Sequence, residues 1–163
     1  MKRSVASLAC LLTGCSGSEV ATTGWPFDPV QFFAGHTQGD ASLRLITGSS
    51  HRVSVDSRGT ADRHGGLVLD QAIREAGKPE RTRRWVFRPA GPGRWTGTLT
   101  DAVGPVTVER TSVDVAIRYT MHNGENVEQH LQLPPGGVVY NHLTVSRFGI
   151  RLATLDEKIR KVP

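Results

Sequence analysis

The stretch "VDVAIRYTMHNGENVEQHLQL", residues 113–133, decides the fold of this 163-residue chain. Its first half has an apolar residue at every second position: Val113, Val115, Ile117, Tyr119 and Met121. Because β-strand side chains point alternately to two faces, a period of two is typical of a strand with one buried face. The Asn123-Gly124 pair follows, and then a second run of shared parity. An Asn-Gly pair between two alternating runs is a strong signal of a β-hairpin.

The same period of two recurs along most of the chain, with Gly, Pro and Asn turns between the runs. The runs with this period are Leu43/Leu45, Val53/Val55, Leu67/Leu69, Trp85/Phe87, Trp95/Leu99, Val139/Leu143/Val145 and Ile150/Leu152. We therefore predict an all-β domain of eight to ten short antiparallel strands. Such a sheet must close or stack to hide its apolar face and its edges. A closed antiparallel barrel with inward apolar residues is favoured, and a sandwich is the alternative.

Two segments at the ends of the domain, and one alternative kind of barrel, are considered next to the strands. Asp28 to Ala34 predicts a short N-terminal helix, because Asp is a favoured N-cap and Pro29 suits the first helical position. Phe32 and Phe33 could then plug one end of the barrel. The tail "LDEKIRK", residues 155–161, is compatible with strand or helix. An outer-membrane barrel would turn its apolar residues outward to lipid, and short strands with charged outer faces count against it.

The first residues predict export. Two cations, Lys2 and Arg3, precede an apolar run too short for the ~20 residues of a spanning helix. Leu12-Thr13-Gly14-Cys15 resembles the lipobox of bacterial lipoproteins, which implies a signal peptide at 1–14 and acylation of Cys15, palmitate included. Ser16 after it implies sorting to the outer membrane of a Gram-negative bacterium. A plain signal peptide is the alternative. Residues 15–26 are predicted to be a flexible tether and 27–163 the barrel domain.

Composition excludes several functions. The chain is formally +5, and without Lys2 and Arg3 its 18 remaining cations face 15 carboxylates. No basic stripe with interleaved aromatics appears, so we expect no nucleic-acid partner. The only cysteines are Cys10 and Cys15. After processing no thiol would remain for a disulfide, a nucleophile or a metal–sulfur site.

No catalytic or metal-binding pattern stands out. The six histidines form no His-x-His pair and no helical metal motif. His142 and Ser146 are four residues apart on a predicted strand, which separates them by about 13 Å, and no Gly-x-Ser-x-Gly elbow exists. We therefore expect a protein that is not an enzyme and has no metal and no cofactor.

Five residues are candidates for a ligand site. Asn141 and Gln129 have the parity of the apolar face, where an unpaired amide costs about 1–3 kcal/mol. Either neighbouring protein groups satisfy them, or a ligand or water does. Trp85, Trp95 and Tyr119 have inward parity and either pack in the core or line a cavity. Arg84, within a basic run at 81–84, is expected to point outward to solvent.

Three motifs resemble one known family. They are "FDPVQFFAG" at 27–35, "RRWVFRPAGPGRWTGTLTDAVG" at 83–104 and "NHLTVSRFGIRL" at 141–152. They are similar to motifs of the bacterial lipoprotein family called domain of unknown function 3833. That resemblance implies an up-and-down, lipocalin-like (calycin-like) barrel and a small apolar ligand.

Anchor and barrel together predict a membrane-anchored periplasmic lipoprotein that binds a small apolar or amphipathic, lipid-like ligand. The alternative is a structural or interaction lipoprotein with a solid barrel, no ligand and an envelope protein as its partner. Interior volume separates the two, because a barrel of about eight strands is just wide enough either to fill itself or to hold one small molecule.

Overall fold

The computed structural model describes residues 25–163. Ten antiparallel strands form a closed barrel in which each strand pairs with its neighbour in sequence, and β1 pairs with β10 to close the ring. This confirms the closed up-and-down barrel and excludes the sandwich. The elements are α1 (Pro29–Phe33), β1 (Gly35–Leu45), β2 (Ser50–Ala61), β3 (Leu67–Glu75), β4 (Arg81–Gly91), β5 (Arg94–Leu99), β6 (Ala102–Arg110), β7 (Val115–Met121), β8 (Asn126–Gln132), β9 (Val138–Arg147) and β10 (Ile150–Val162).

The stretch at 113–133 forms the β7–β8 hairpin, as predicted. Val115, Ile117 and Tyr119 on β7 are buried, whereas Arg118 points outward and donates to Glu128 Oε1 over 2.8 Å. In the connecting turn Asn123 Oδ1 accepts from the backbone N–H of Glu125 at 3.1 Å, and Gly124 has a φ of +82°. Glycine takes that φ without a steric penalty, which explains why the Asn-Gly pair marks the turn.

A short helix closes one end of the barrel. Asp28 Oδ1 caps α1 by accepting from the N–H of Val30 at 2.9 Å, and Pro29 is the first helical residue. Phe32 and Phe33 are buried, with their rings edge to face at 5.1 Å. The predicted helix and its plugging role are therefore confirmed. The close approach needs Gly59 on β2, because a Cβ there would lie 1.9 Å from the Phe33 carbonyl oxygen.

We call the end that α1 closes the plugged end, with the turns at 62–66, 92–93, 111–114 and 133–137. The opposite end, with the turns at 46–49, 76–80, 100–101, 122–125 and 148–149, is the open end. Trp25 lies at the plugged end, where its N–H donates to the Val113 carbonyl at 3.1 Å and its carbonyl accepts from Leu133 N–H at 3.0 Å. The predicted signal peptide, Cys15 and most of the predicted tether lie outside the described residues.

The plugged half of the barrel has a tightly packed interior. Its most completely buried large apolar side chains are Leu67, Val106, Val108, Val115, Leu131 and Val139. A smaller group, Ala41, Val53, Val55 and Ile73, lines the wall nearer the open end. The apolar side chains of the alternating runs thus point inward, as the parity predicts, except Ile150, which is exposed at the open end. No helix among residues 25–163 has the length and apolar character needed to span a bilayer.

The tail resolves as a strand. "LDEKIRK" belongs to β10, which pairs with both β1 and β9. Strand parity therefore turns Leu155, Glu157 and Ile159 toward the interior and Asp156 and Lys158 toward solvent. One carboxylate consequently enters the barrel between two apolar residues.

Candidate ligand-binding cavity

The open half of the barrel is hollow. A cavity of about 380 Å³ lies there, within the range of about 300–1,000 Å³ that is usual for small-molecule sites. Its walls are mainly aliphatic, contributed by strands on all sides: Leu43, Val53, Ile73, Val127, Leu143 and Leu155. The interior is therefore filled beside the helix and unfilled toward the open end.

Polar side chains lie where the cavity meets the packed half, and we call Tyr119, Gln129, Asn141 and Glu157 the polar floor. Asn141 Nδ2 donates to Glu157 Oε2 at 2.9 Å and to Gln129 Oε1 at 3.3 Å. Gln129 Nε2 in turn donates to the Tyr119 hydroxyl at 3.4 Å. This series of hydrogen bonds crosses strands β7 to β10. Asn141 faces Glu157 directly in register, whereas Gln129 lies diagonally from both Asn141 and Tyr119.

One atom of the polar floor has no partner. Asn141 Oδ1 is buried and accepts no hydrogen bond in the described part of the protein. The two acceptors beside Nδ2 determine which end of the amide carries the nitrogen. An unsatisfied buried acceptor costs about 1–3 kcal/mol. The protein therefore satisfies the nitrogen of Asn141 and leaves its buried oxygen without a donor, in a residue that lines the cavity.

Glu157 is a carboxyl group in a largely apolar setting. Burial raises the pKa of Glu157 above its usual range, while the hydrogen bond from Asn141 and the charge of Arg83 oppose that shift. Gly39, on the adjacent strand β1, leaves room for this group: a Cβ there would lie 2.0 Å from Glu157 Oε1. The absence of a side chain at position 39 is thus part of how the carboxyl group is accommodated.

A second polar group lies on the β2–β4 side. Arg83 Nε and Trp85 Nε1 both donate to Gln71 Oε1, each at 2.7 Å, and Gln71 Nε2 donates to Ser57 Oγ at 3.0 Å. The Arg83 guanidinium also lies 5.0 Å from the Trp85 ring centroid, within cation–π range. These contacts hold a positive charge at the cavity wall.

Charged pairs surround the mouth of the cavity. Arg81 Nη1 donates to Asp101 Oδ2 at 3.0 Å, and Lys78 Nζ lies 2.7 Å from Glu75 Oε1 without hydrogen-bond alignment. Neighbouring Arg84 points outward, as predicted, and pairs with Asp70. That bond lowers the pKa of Asp70 and raises the pKa of Arg84. In the basic run at 81–84, Arg81 therefore lies at the cavity mouth, Arg83 at the cavity wall and Arg84 on the outer surface.

The five residues proposed from sequence separate into three groups. Tyr119, Gln129 and Asn141 line the cavity together. Trp85 is buried beneath it and touches Tyr119 edge to face at 5.4 Å. Trp95 lies at the plugged end, where its Nε1 donates to the Gly65 carbonyl at 3.3 Å, away from the residues that line the cavity. The two tryptophans thus take the packing role that the sequence left as one of their options.

Sequence reasoning missed Glu157 and Arg83. Both have the signal that identified Asn141, a polar residue at inward parity: Glu157 between Leu155 and Ile159, and Arg83 two residues before Trp85. Glu157 was missed because the sequence left the tail undecided between strand and helix. Arg83 was missed because the run at 81–84 suggested a uniformly solvated surface.

The histidines lie outside this cavity. His36, His130 and His142 pair with Asp56, Asp114 and Asp156 at 2.7–2.8 Å. His36 also lowers the pKa of Asp56 through its hydrogen bond. Within residues 25–163, no three His, Cys, Asp or Glu side chains converge as metal ligands would. His36 and His142 each pair with one carboxylate, whereas His130 also lies 3.4 Å from Glu128 Oε1.

A helix-plugged, ten-stranded up-and-down barrel with a cavity in its open half defines a lipocalin-like barrel. The chain belongs to the family described as protein of unknown function DUF3833, whose profile matches residues 9–161. No curated protein matches the chain. The resemblance seen in the three sequence motifs is thereby confirmed.

Solved structures share the fold at low identity. The S-type phycobiliprotein lyase CPES from Guillardia theta superposes with a TM-score of 0.66 at 7% identity, over 82% of this chain and 90% of that chain. A de novo designed fluorescence-activating β-barrel has a TM-score of 0.45 at 14% identity (83% and 99% covered). A redesigned β-barrel has 0.43 at 11% identity (82% and 95% covered).

The comparison with the lyase corrects one prediction. Missing motifs led us to expect a protein that is not an enzyme, yet a protein named as a lyase has this fold over most of the chain. The prediction is wrong because neither the barrel nor the missing motifs are evidence against an enzyme. An identity of 7% conveys the fold alone, so neither an activity nor a substrate is transferred.

Proposed function

We propose that the protein binds one small amphipathic molecule in the open half of its barrel, with the polar end of the molecule on the polar floor. The observation that carries this proposal is the unpaired Asn141 Oδ1 beside a hollow, aliphatic-walled space. A ligand with a hydroxyl, amide or amine donor would satisfy that oxygen. Without a donor from a ligand or from water, the fold bears the cost of a buried acceptor.

The walls and the floor select different parts of the ligand. Aliphatic walls favour an apolar body, at about 25 cal/mol per Å² of surface removed from water. On the floor, burial raises the pKa of Glu157 and so favours its neutral, protonated form. A head that carries a hydrogen-bond donor suits the unpaired Asn141 oxygen on this floor. The cavity counts against the alternative of a solid barrel that acts only through an envelope protein partner.

We also propose that the protein is a lipoprotein anchored through acylated Cys15 at the periplasmic face of the outer membrane. The support lies in the sequence Leu12-Thr13-Gly14-Cys15-Ser16, with cations before it and a short apolar run between. Several acyl chains anchor stably where a single chain holds only marginally. Because Trp25 lies at the plugged end, such an anchor would attach to the end of the barrel opposite the cavity mouth.

Binding can be tested with a lipid-like dye that carries one N–H donor, N-phenyl-1-naphthylamine. Val145 lines the cavity, so Val145→Trp should fill it and abolish the fluorescence gain of the dye with the purified full chain. Val68→Trp, on the outer face of β3, is the matched control and should leave binding intact. Equal binding by both variants would refute the proposed site, provided that both have wild-type thermal unfolding midpoints.

A further inference from the structure

Large apolar side chains project into solvent beside the cavity mouth. Ile46, Phe148 and Ile150, which we call the apolar rim, are 65%, 87% and 58% exposed. Ile46 and Phe148 lie in two adjoining turns of the open end, at 46–49 and 148–149, and Ile150 follows as the first residue of β10. The N–H of Ile46 donates to the Leu152 carbonyl at 2.8 Å and joins the two turns. The mouth residues Leu45 and Leu152 are direct neighbours of this rim.

Phe148 occupies a backbone position that suits other residues better. It has a φ of +50° and is followed by Gly149 at +77°, between the paired residues Arg147 and Ile150. Turns with two consecutive positive φ values favour Asn or Gly at the first position. The Phe148 ring is almost fully exposed, with the Arg147 guanidinium 5.1 Å from its centroid. Packing within the barrel therefore gives no reason for a phenylalanine there.

The two hairpin segments that carry the apolar rim contain basic residues and no acidic ones. Residues 44–52 and 144–152 contain the arginines 44, 52, 147 and 151 and no aspartate or glutamate. Arg44 lies 3.8 Å from Asp156, whereas no salt bridge involving Arg147 or Arg151 occurs in the described part of the chain. Elsewhere the mouth has balanced pairs such as Arg81 with Asp101. Exposed apolar residues flanked by unneutralised arginines match an anionic lipid interface.

We propose that the apolar rim docks on an anionic phospholipid bilayer, with Phe148, Ile46 and Ile150 inserted among the headgroups and the arginines on the phosphates. Guanidinium groups pair well with phosphate oxygens, and apolar side chains gain from leaving water. Docking in this orientation sets the cavity mouth against the lipid. Docking itself needs no ligand. Only the inference that a docked mouth lets a ligand pass between the bilayer and the cavity rests on the proposed function.

The test places a reporter at the rim. The full chain with Cys10→Ser and Cys15→Ser receives one new cysteine, Phe148→Cys, labelled with an environment-sensitive fluorophore. Phosphatidylglycerol vesicles should shift its emission to the blue, phosphatidylcholine vesicles should do so far less, and added salt should weaken the effect. The matched control is Val68→Cys on the outer face of β3, where no shift is expected.

Two results would overturn the proposal: no shift at position 148, or an equal shift at 148 and 68. In an unlabelled chain with the same two serines, Phe148→Ser with Ile150→Ser should weaken vesicle binding by about tenfold or more. Val68→Ser should not. Unchanged vesicle binding by the double variant would also contradict rim docking. Dye binding should persist in that variant, so failure of docking and failure of the cavity are distinguishable.

Discussion

Asn141 and Glu157 face each other in register on β9 and β10, and Asn141 Nδ2 donates to Glu157 Oε2 over 2.9 Å inside the barrel. This bond orients the amide so that its oxygen is left without a donor. A polar pair in this position gives up aliphatic packing at the base of the cavity. The effect of this pair on the stability of the fold and its effect on ligand binding can be measured separately.

Glu157 should make stability depend on pH. Burial raises its folded pKa, whereas in the unfolded chain it ionises near about 4.3. Between those two pKa values the folded state binds more protons, so its contribution to the free energy of unfolding falls as pH rises through that window. Glu157→Gln should remove this contribution and be more stable than wild type above the window, by on the order of 1 kcal/mol. Urea unfolding at a series of pH values measures it.

Glu109→Gln is the control for this comparison. Glu109 is an exposed carboxylate on β6 that pairs with Arg94 at 3.5 Å. Its removal should leave the shape of the stability–pH curve nearly unchanged. Parallel curves for wild type and Glu157→Gln would contradict a buried carboxyl group with a raised pKa.

Asn141→Leu should discriminate between ligands. The variant loses the acceptor Oδ1 and should bind N-phenyl-1-naphthylamine, which has an N–H, about tenfold more weakly, the equivalent of one hydrogen bond. Diphenylhexatriene has no donor, so its affinity should be nearly unchanged. Titration of both dyes makes the comparison. Equal losses for the two dyes would show that Asn141 acts only on the shape of the cavity.

Gly59 should tolerate a side chain less well than Gly39. A Cβ at position 59 would collide with the carbonyl oxygen of Phe33, which cannot move without shifting α1. We expect Gly59→Ala to destabilise the fold by about 1–3 kcal/mol. The three atoms nearest to a Cβ at position 39 all belong to the flexible side chain of Glu157, which can rotate away, so Gly39→Ala should cost less. Thermal unfolding of both variants measures the two losses of stability. A larger loss for Gly39→Ala than for Gly59→Ala would contradict the role of α1 as a plug.

Phe148→Asn should stabilise the barrel and impair docking. Asparagine tolerates the positive φ better than phenylalanine, so the unfolding free energy should rise by about 0.5–1 kcal/mol. Vesicle binding should fall at the same time. A loss of stability in this variant would mean that the Phe148 ring supports the fold, and not an interaction outside it.

Cys15→Ser tests the anchor. The variant should remain unprocessed and take up no labelled palmitate, because the acyl chains would be attached through the thiol of this residue. Cys10→Ser, five residues earlier, is the matched control and should still be labelled. Palmitate incorporation in Cys15→Ser at the wild-type level would contradict the proposed lipoprotein.

The fold was accessible from sequence because its signals are local. Alternation at 113–121, Asn123-Gly124 in the turn and Asp28-Pro29 before the helix each act through neighbouring residues. Inward parity likewise identified Tyr119, Gln129 and Asn141. Closure through β1 and β10 followed from the need to hide sheet edges, although no local pattern marks that pair.

Contacts between distant segments were not accessible in this way. Parity turns Trp85, Trp95 and Tyr119 inward alike, but depth along the barrel decides which of them meets a cavity. That depth depends on α1 filling one end and on the stagger of the strands. The space for Glu157 depends on Gly39, which is more than a hundred residues away along the chain.

The central claim is that the open half of the barrel holds a small amphipathic molecule. The most direct measurement is solvent extraction of the protein purified from cells, followed by mass spectrometry, for wild type, Val145→Trp and Val68→Trp. We predict one class of amphipathic compound, at about one molecule per chain, in wild type and Val68→Trp and its loss from Val145→Trp. Recovery of no such compound from wild type, or of equal amounts from all three, would contradict the claim.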